Sequence, residues 1–143
     1  MIRVVGAVLV SQDHVVLARR ASSLKNFPGL FEFPGGKIEA NESPEQALAR
    51  ELHEELNINV EMKALERFDG NIHQSTIENS GKVIHLTLFI VRTWKGILTT
   101  DNRIHSEMAH VPIKELDRVA DLIPGDATFV PIIQETLGAS TAD

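Results

Sequence analysis

The chain contains 143 residues, of which 43% are hydrophobic and 24% are charged, and its formal net charge is −6. The composition is that of a globular protein, and the length predicts a single domain over residues 1–143. The acidic balance argues against nucleic acid polymers and anionic membranes as partners, since both attract basic surfaces. The absence of cysteine excludes disulfide bonds and thiol catalysis. No signal peptide and no apolar run of about 18 residues is found, so a cytoplasmic location is expected.

Several segments have the apolar or alternating pattern of β-strands, and polar or glycine-containing breaks separate them. The longest is apolar enough to be the central strand, and the last is expected at an edge. The predicted strands are Ile2–Val10, His14–Ala18, Phe31–Phe33, Ile58–Leu65, Phe68–Thr76, Val83–Trp94 and Ile104–Val111.

Polar residues, prolines and glycines predict the connections between these strands. Turns are expected at residues 11–13 and 34–36, a loop at 20–29 and a hairpin turn at 78–82. Pro112–Leu116 is predicted as a short helical turn. Asp126 is predicted to start a final helix to about Leu137, whose regular part Pro131 delays. The fold class is therefore α/β in its α+β form, with a mixed sheet between helices.

A helix from Pro44 is the clearest local prediction. Ser43 is a good N-cap, Pro44 suits the first helical position, and Gln46 completes a capping box. Asn57 tolerates the left-handed conformation that ends a helix, so the helix is expected to stop just before it.

One face of this helix combines leucines with carboxylates. At about 100° per residue, leucines spaced by four residues form an apolar stripe, and three glutamates occupy the adjoining arc. The leucines are Leu48, Leu52 and Leu56, and the glutamates are Glu51, Glu54 and Glu55. Like charges at a partly buried edge need compensation, which raised pKa values or a hard divalent cation such as Mg²⁺ can provide. Taken singly, each glutamate is an ordinary solvated residue, and Arg50 with Glu54 is an ordinary i, i+4 pair.

The full pattern is Gly36, five residues, Glu42, seven residues, and then Arg50-Glu51-Leu52-His53-Glu54-Glu55-Leu56-Asn57-Ile58. It resembles the Nudix box, in which Gly, five residues, Glu and seven residues precede Arg-Glu-apolar-any-Glu-Glu-any-Gly-apolar. Asn57 stands where the family has Gly, and Asn is the next best residue in a left-handed cap. The segment Leu30–Glu39, the pair Arg19-Arg20 and the stretch Ile84–Leu86 are similar to the MutT-type branch of the family.

This resemblance implies an α/β/α sandwich and Mg²⁺-dependent hydrolysis of a nucleoside triphosphate, with Mn²⁺ able to substitute. The products would be a nucleoside monophosphate and pyrophosphate. The implied metal ligands are the Gly35 carbonyl, Glu54 and Glu55, with Glu51 in the same cluster. Glu42 would support the loop or a further metal.

The implied catalytic residues are Glu51 as general base and Arg50 as the group that orients a carboxylate. Glu55 is an alternative or shared base. Members of the MutT-type branch often have one more glutamate, where this chain has Ile104. Either Glu107 or Asp101 replaces that ligand, or the site works with fewer.

The candidate substrate-binding residues each have a plainer interpretation. Lys37 would contact phosphate, and Arg20 would contact base or phosphate unless it is a solvated loop residue. Asp126 would contact the base edge or cap a helix. Phe27 could stack on a base, and His85 is either a half-buried strand residue or a substrate contact. His73, His105 and His110 lack the spacing of a zinc site and are given no metal role, and Phe33 is assigned to the core.

The first hypothesis for the substrate is 8-oxo-dGTP or another deoxynucleoside triphosphate. CTP or another pyrimidine triphosphate is the alternative, suggested by the stretch Ile84–Leu86 and by the carboxylate, rather than an amide, at Asp126. A non-catalytic nucleotide sensor is a third possibility from a different functional class. The expected partner is thus a small nucleotide, and the sequence leaves the oligomeric state open.

Overall fold

The computed structural model describes residues 2–76 and 83–138, and for residues 69–76 it describes the backbone alone. Its architecture is a mixed sheet with helices on both faces. The strands are β1 (Ile2–Ser11), β2 (His14–Arg20), β3 (Phe31–Glu32), β4 (Gly35–Lys37), β5 (Glu66–Thr76), β6 (Val83–Val91) and β7 (His105–Pro112). The helices are α1 (Pro44–Leu56), α2 (Pro124–Ala127) and α3 (Val130–Gly138), with 3₁₀ turns at Met62–Ala64 and Ile113–Arg118.

Strand β1 lies in the middle of the sheet. It pairs in parallel with β6 from Ile2 opposite Ile84 to Leu9 opposite Val91. On its other edge β1 is antiparallel to two strands. The C-terminal end of β1 pairs with β2, and its N-terminal half pairs with β4. Strand β5 continues the sheet beyond β6, and β7 pairs with β2. The expected central position of β6 and edge position of β7 are confirmed.

Alternate residues of β1 belong to two different hydrophobic clusters. Ala7 and Leu9 pack with the leucines of α1, whereas Val8 and Val10 belong to the cluster that contains α3. Successive side chains of a strand point to opposite faces, so α1 and α3 cover opposite faces of the sheet. The predicted α/β/α sandwich is confirmed.

Helix α1 has the predicted bounds and both predicted caps. The Ser43 hydroxyl accepts a hydrogen bond from the Gln46 amide at 3.1 Å, and the Gln46 side chain accepts one from the Ser43 amide at 2.8 Å. Asn57 has φ 59° and ψ 34°, which is the left-handed cap that Asn tolerates. The three leucines of the apolar stripe are fully buried.

Three strand and turn predictions are wrong. Residues 34–36 do not form a turn, because Gly35–Lys37 pairs with β1 as strand β4. The segment Ile58–Leu65 is not a strand, since its backbone makes one isolated bridge, from Asn59 to Lys95, before a 3₁₀ turn. Strand β6 ends at Val91, three residues earlier than predicted. The hairpin turn predicted at residues 78–82 lies outside the described residues.

The C-terminal helical region is divided into two helices. Asp126 lies inside α2, whose N-cap is Ile123, so the prediction that Asp126 caps a long helix is wrong. Regular helix resumes at Val130, one residue before Pro131, which confirms the expected late start. Within the part of the chain that the structure describes, no helix is both long and apolar enough to cross a membrane.

Candidate active site

Arg50 organises the carboxylates of the box. Its Nε and Nη2 donate to the two carboxylate oxygens of Glu42, at 2.6 and 3.0 Å. Its Nη1 donates to Glu51 at 2.9 Å and to Glu54 at 3.2 Å, and Nη2 also donates to the Lys37 carbonyl at 3.0 Å. The planar guanidinium thus fixes three acidic side chains and the end of β4 in one arrangement.

Both carboxylate oxygens of Glu42 accept hydrogen bonds from its neighbours in this arrangement. Both of its oxygens accept from Arg50, and one of them also accepts from the Glu39 amide at 2.9 Å. These bonds lower the pKa of Glu42 to about 2, with the bond from Arg50 as the largest cause. Of the two roles expected for Glu42, the structure shows loop support.

Glu55 and Glu51 form the most strained electrostatic feature of the site. Burial is the largest cause that raises the pKa of Glu55 to about 9, followed by the charge of Glu51 and a hydrogen bond with it. The buried Oε2 atom of Glu55 has no hydrogen-bond partner among the described residues. An unpartnered buried carboxylate oxygen beside a second carboxylate is the chemical setting that a divalent cation stabilises.

The carboxylates nevertheless do not form a complete metal cage. Among the residues described, no three His, Asp or Glu side chains converge closely enough to hold a metal ion. Glu54 extends outward, with 56% of its side chain exposed and its oxygen on Arg50. The structure therefore brings Glu51 and Glu55 together directly, whereas the exposed Glu54 is joined to Glu51 through Arg50 Nη1.

Two glycines of β4 fit the strand against α1 and β1. A Cβ atom on Gly36 would lie 2.6 Å from both carboxylate oxygens of Glu51. A Cβ atom on Gly35 would collide with the Val5 carbonyl oxygen of β1. The glycines are needed for close approach, Gly35 to the backbone of β1 and Gly36 to the Glu51 carboxylate of α1.

The two glycines predict different losses on substitution by alanine. Gly35→Ala is expected to lower the free energy of unfolding by about 1–3 kcal/mol, because backbone must move to relieve the overlap. Gly36→Ala is expected to retain most stability but to lower kcat by about 10²-fold, because Glu51 must leave its position. Chemical denaturation and steady-state kinetics measure the two effects. Gly138→Ala, which meets nothing within 4 Å, is the control, and equal losses in all three variants would contradict this account.

A cavity of about 660 Å³ opens beside these residues. Gly35, Gly36, Lys37 and Glu55 line one part of its wall. The other lining residues include most of those predicted for substrate binding, His85 excepted, and apolar residues of β1 and β6. They include Arg20, Asn26, Phe27, Glu32, Phe33, Ile84, Leu86, Ile104 and Asp126. The cavity thus joins the acidic edge of α1 to a more apolar chamber.

Asp126 is a buried carboxyl group in that chamber. Its Oδ2 accepts a hydrogen bond from the Phe33 amide at 2.9 Å. Burial is the largest cause that raises its pKa to about 7, the charge of Glu32 raises it further, and the Phe33 amide and Arg20 act in the opposite direction. Both protonation states are therefore accessible near neutral pH.

Asp126→Asn should change the pH dependence of stability. The folded protein keeps a proton on Asp126 from about pH 4 to about pH 7, where an unfolded aspartate has lost it, so this group's contribution to stability falls as pH rises through that window. The variant should gain about 1–4 kcal/mol relative to the unmutated protein between pH 4 and pH 8. Urea denaturation at both pH values measures this gain. Asp117→Asn, at an exposed aspartate, should show none, and an equal gain in both variants would contradict the assignment.

Other predicted residues lie elsewhere. Glu107 accepts a hydrogen bond from Arg19 at 2.7 Å. Asp101 accepts a hydrogen bond from Arg103. Neither carboxylate is among the residues that line the cavity, whereas Ile104 is. His85 is half-buried on β6 and is not among the residues that line the cavity.

Two residues without an assigned role prove to belong to the site. Glu32 lines the cavity, and its two oxygens contact Arg20 at 3.1 Å and His105 Nε2 at 2.8 Å. The position of Glu32 just before the Nudix-box pattern could have pointed to it in the sequence. No local pattern could have linked it to His105, which is 73 residues away. Of the other two histidines that were given no metal role, His110 is exposed on β7, and the side chain of His73 is not described.

The sandwich, the β4–α1 junction and the carboxylate edge define the class. A family model described as the NUDIX domain matches residues 1–132. The chain therefore belongs to the NUDIX family, and it is an enzyme of the pyrophosphohydrolase class.

Several known proteins are similar to this chain over much of its length. The 8-oxo-dGTP diphosphatase of Proteus vulgaris is 39% identical over 94 residues, which is 66% of this chain and 78% of that protein. The CTP pyrophosphohydrolase of Escherichia coli K12 is 39% identical over 98 residues, 68% of this chain and 67% of that protein. The solution structure of the E. coli ORF135 protein has a TM-score of 0.80 and 33% identity, covering 100% of this chain and 95% of that one.

Proposed function

We propose that this enzyme is a Mg²⁺-dependent nucleoside triphosphate pyrophosphohydrolase that acts on 8-oxo-dGTP or another deoxynucleoside triphosphate and releases a nucleoside monophosphate and pyrophosphate. The observation that carries the proposal is the unpartnered oxygen of Glu55 beside Glu51 at the wall of a nucleotide-sized cavity. The proposed role is sanitation of the nucleotide pool in the cytoplasm.

The residues that would hold Mg²⁺ are Glu55, Glu51, Glu54 and the Gly35 carbonyl. When bound, the ion polarises phosphate oxygens and makes water more acidic, with Mn²⁺ as a chemical substitute. Glu55 supplies a desolvated oxygen, and Glu54 joins it by turning its exposed side chain away from Arg50. Arg50 would retain Glu42 and so keep the loop before α1 in place.

Glu51 is the proposed general base. One of its oxygens is held by Arg50, and its carboxylate rests against Gly36, so its position is defined on two sides. Glu55 lies one helical turn away and would share a proton with it. A base within reach of the attacking water accepts its proton, so that positive charge does not build up on the water oxygen.

The remaining lining residues would bind the nucleotide. Lys37 follows the two glycines on the cavity wall and would contact phosphate, whereas Phe27, Arg20 and Asp126 also line the cavity and would contact the rest of the nucleotide. A protonated Asp126 can donate and accept a hydrogen bond, and an ionised one can only accept. This carboxyl group, poised near its pKa, is the proposed contact to the base edge.

The named relatives support two substrate classes. The Proteus relative supports 8-oxo-dGTP, and the E. coli relative supports CTP. The CTP alternative is also favoured by Asp126, because a protonated carboxyl matches the adjacent amino donor and ring-nitrogen acceptor of cytosine.

A nucleotide panel with product analysis tests the proposal. Purified protein with Mg²⁺ is incubated with 8-oxo-dGTP, dGTP, CTP and dCTP, and the products are separated by ion-exchange chromatography. We expect monophosphate and pyrophosphate in equal amounts, with kcat/KM for 8-oxo-dGTP at least about tenfold above that for dGTP. Activity confined to cytidine compounds would establish the alternative. Nucleotide binding without hydrolysis, with Mg²⁺ or Mn²⁺, would show a sensor instead.

A further inference from the structure

We infer that Glu32 and His105 are positioning residues that hold Arg20 against the bound nucleotide and thereby set the affinity of the enzyme for its substrate. The inference rests on the proposed function, because Arg20 needs a nucleotide to contact. The three residues form a linear series from the buried sheet to the cavity wall, and this series is called the His105–Glu32–Arg20 relay below.

The contacts of the relay converge on Glu32. His105 Nε2 lies 2.8 Å from Glu32 Oε2, and Arg20 Nη1 donates to Glu32 Oε1 at 3.1 Å. Arg20 Nε donates to the Asn26 carbonyl at 2.9 Å, which fixes a second edge of the guanidinium. Among the described residues, no partner holds Arg20 Nη2, so this nitrogen remains available to a ligand in the cavity that Arg20 lines.

His105 is a polar residue whose burial is unfavourable if it serves for packing alone. It is fully buried, and its Nδ1 has no hydrogen-bond partner among the described residues. Because an ionised Glu32 can only accept, the imidazole must donate from Nε2. An apolar side chain would avoid a buried unpartnered nitrogen, so what His105 contributes is its bond to Glu32.

Both oxygens of Glu32 are used within the relay. One accepts from Arg20 and the other from His105, which distinguishes Glu32 from Glu55 with its unpartnered oxygen. A carboxylate held in this way is suited to orient a cation and poorly suited to be a metal ligand.

Glu32 and Arg20 line the same cavity as Glu55 and Asp126. Glu32 and Arg20 are close enough to Glu55 and to Asp126 to influence the pKa values of both carboxyl groups. A nucleotide with its phosphates near Glu55 and its base near Asp126 would therefore pass Arg20. The donor at Nη2 would meet an oxygen of that nucleotide, and losing its orientation would weaken binding.

Glu32→Gln and His105→Leu test the inference by steady-state kinetics. Each should raise KM about tenfold, with kcat within about threefold and with the Mg²⁺ concentration for half-maximal rate unchanged. His105→Gln, which keeps an amide donor toward Glu32, should restore most of the affinity. Glu107→Gln is the matched control, because it removes the charge of the carboxylate that accepts from the neighbouring Arg19 outside the cavity, and its KM should not change.

A double-mutant cycle separates positioning from a merely structural role. In an Arg20→Ala background, Glu32→Gln and His105→Leu should change KM by less than about twofold, because the residue they position is absent. Additive effects would overturn the inference. A loss of kcat with a raised Mg²⁺ requirement in Glu32→Gln would also overturn it, by making Glu32 a metal ligand. Should His105→Leu fail to fold, the Glu32→Gln cycle decides alone.

The inference can fail separately from the proposed function. Absence of hydrolysis by the unmutated protein counts against the proposed function. Calorimetric titration with a nonhydrolysable nucleoside triphosphate then still measures whether Glu32→Gln weakens binding about tenfold through Arg20, and unchanged affinity would overturn the inference.

Discussion

Glu55→Gln is expected to lower kcat by about 10²–10⁴-fold while the protein remains folded. Glu55 carries the buried oxygen without a partner, and it lies beside the proposed base Glu51. The amide keeps the volume of the side chain but cannot ionise to the carboxylate that a cation would bind. Because the raised pKa of Glu55 favours a neutral carboxyl group, which the amide resembles, stability without metal should not fall.

Two measurements define this result. Steady-state kinetics gives kcat, and thermal denaturation with and without Mg²⁺ gives the stabilisation by the ion, which at about 100 times its dissociation constant is worth about 2.7 kcal/mol. The stabilisation should be present in the unmutated protein and lost in Glu55→Gln. Glu45→Gln, in the first turn of the same helix, should leave both quantities nearly unchanged. Retained hydrolysis in Glu55→Gln would show that the site lies elsewhere.

Arg50→Lys is expected to lower kcat/KM by about 10–100-fold and the free energy of unfolding by about 1–3 kcal/mol. Lysine keeps the charge, but one ammonium group cannot reproduce the fork that holds Glu42, Glu51 and Glu54. The carboxylates would then repel one another without a fixed arrangement.

Kinetics and urea denaturation on the same preparation measure the two losses. The control is Arg103→Lys, because Arg103 is exposed and bonds to Asp101 alone among the side chains described. Its stability should change by less than about 0.5 kcal/mol. Unmutated activity in Arg50→Lys would mean that charge alone organises the carboxylates, contrary to the geometry of the fork.

Local signals in the sequence were sufficient for helix α1. Ser43, Gln46 and Asn57 act within a few residues of their own positions, so their roles can be read without knowledge of the fold. The spacing of the carboxylates could also be read from the sequence, but the difference in exposure between Glu54 and Glu55 could not. Only the structure shows that Glu55 is half-buried with one oxygen fully buried, whereas Glu54 is exposed and bonded to Arg50.

Features that depend on distant pairing could not be predicted in this way. Glycines have low strand propensity, and Gly35–Lys37 becomes a strand only because β1 offers a partner edge. Asp126 has the residue type of an N-cap, but Phe33, far away in sequence, claims its side chain. His105 and Glu32 likewise meet only through the pairing of the folded sheet.

The most direct test of the central claim is anomalous diffraction from crystals grown with Mn²⁺ and a nonhydrolysable nucleoside triphosphate. The account predicts a manganese peak bounded by Glu55, Glu51, Glu54 and the Gly35 carbonyl, in contact with phosphate oxygens. Nucleotide bound in the cavity with no manganese at these carboxylates, or with manganese held by other residues, would contradict it.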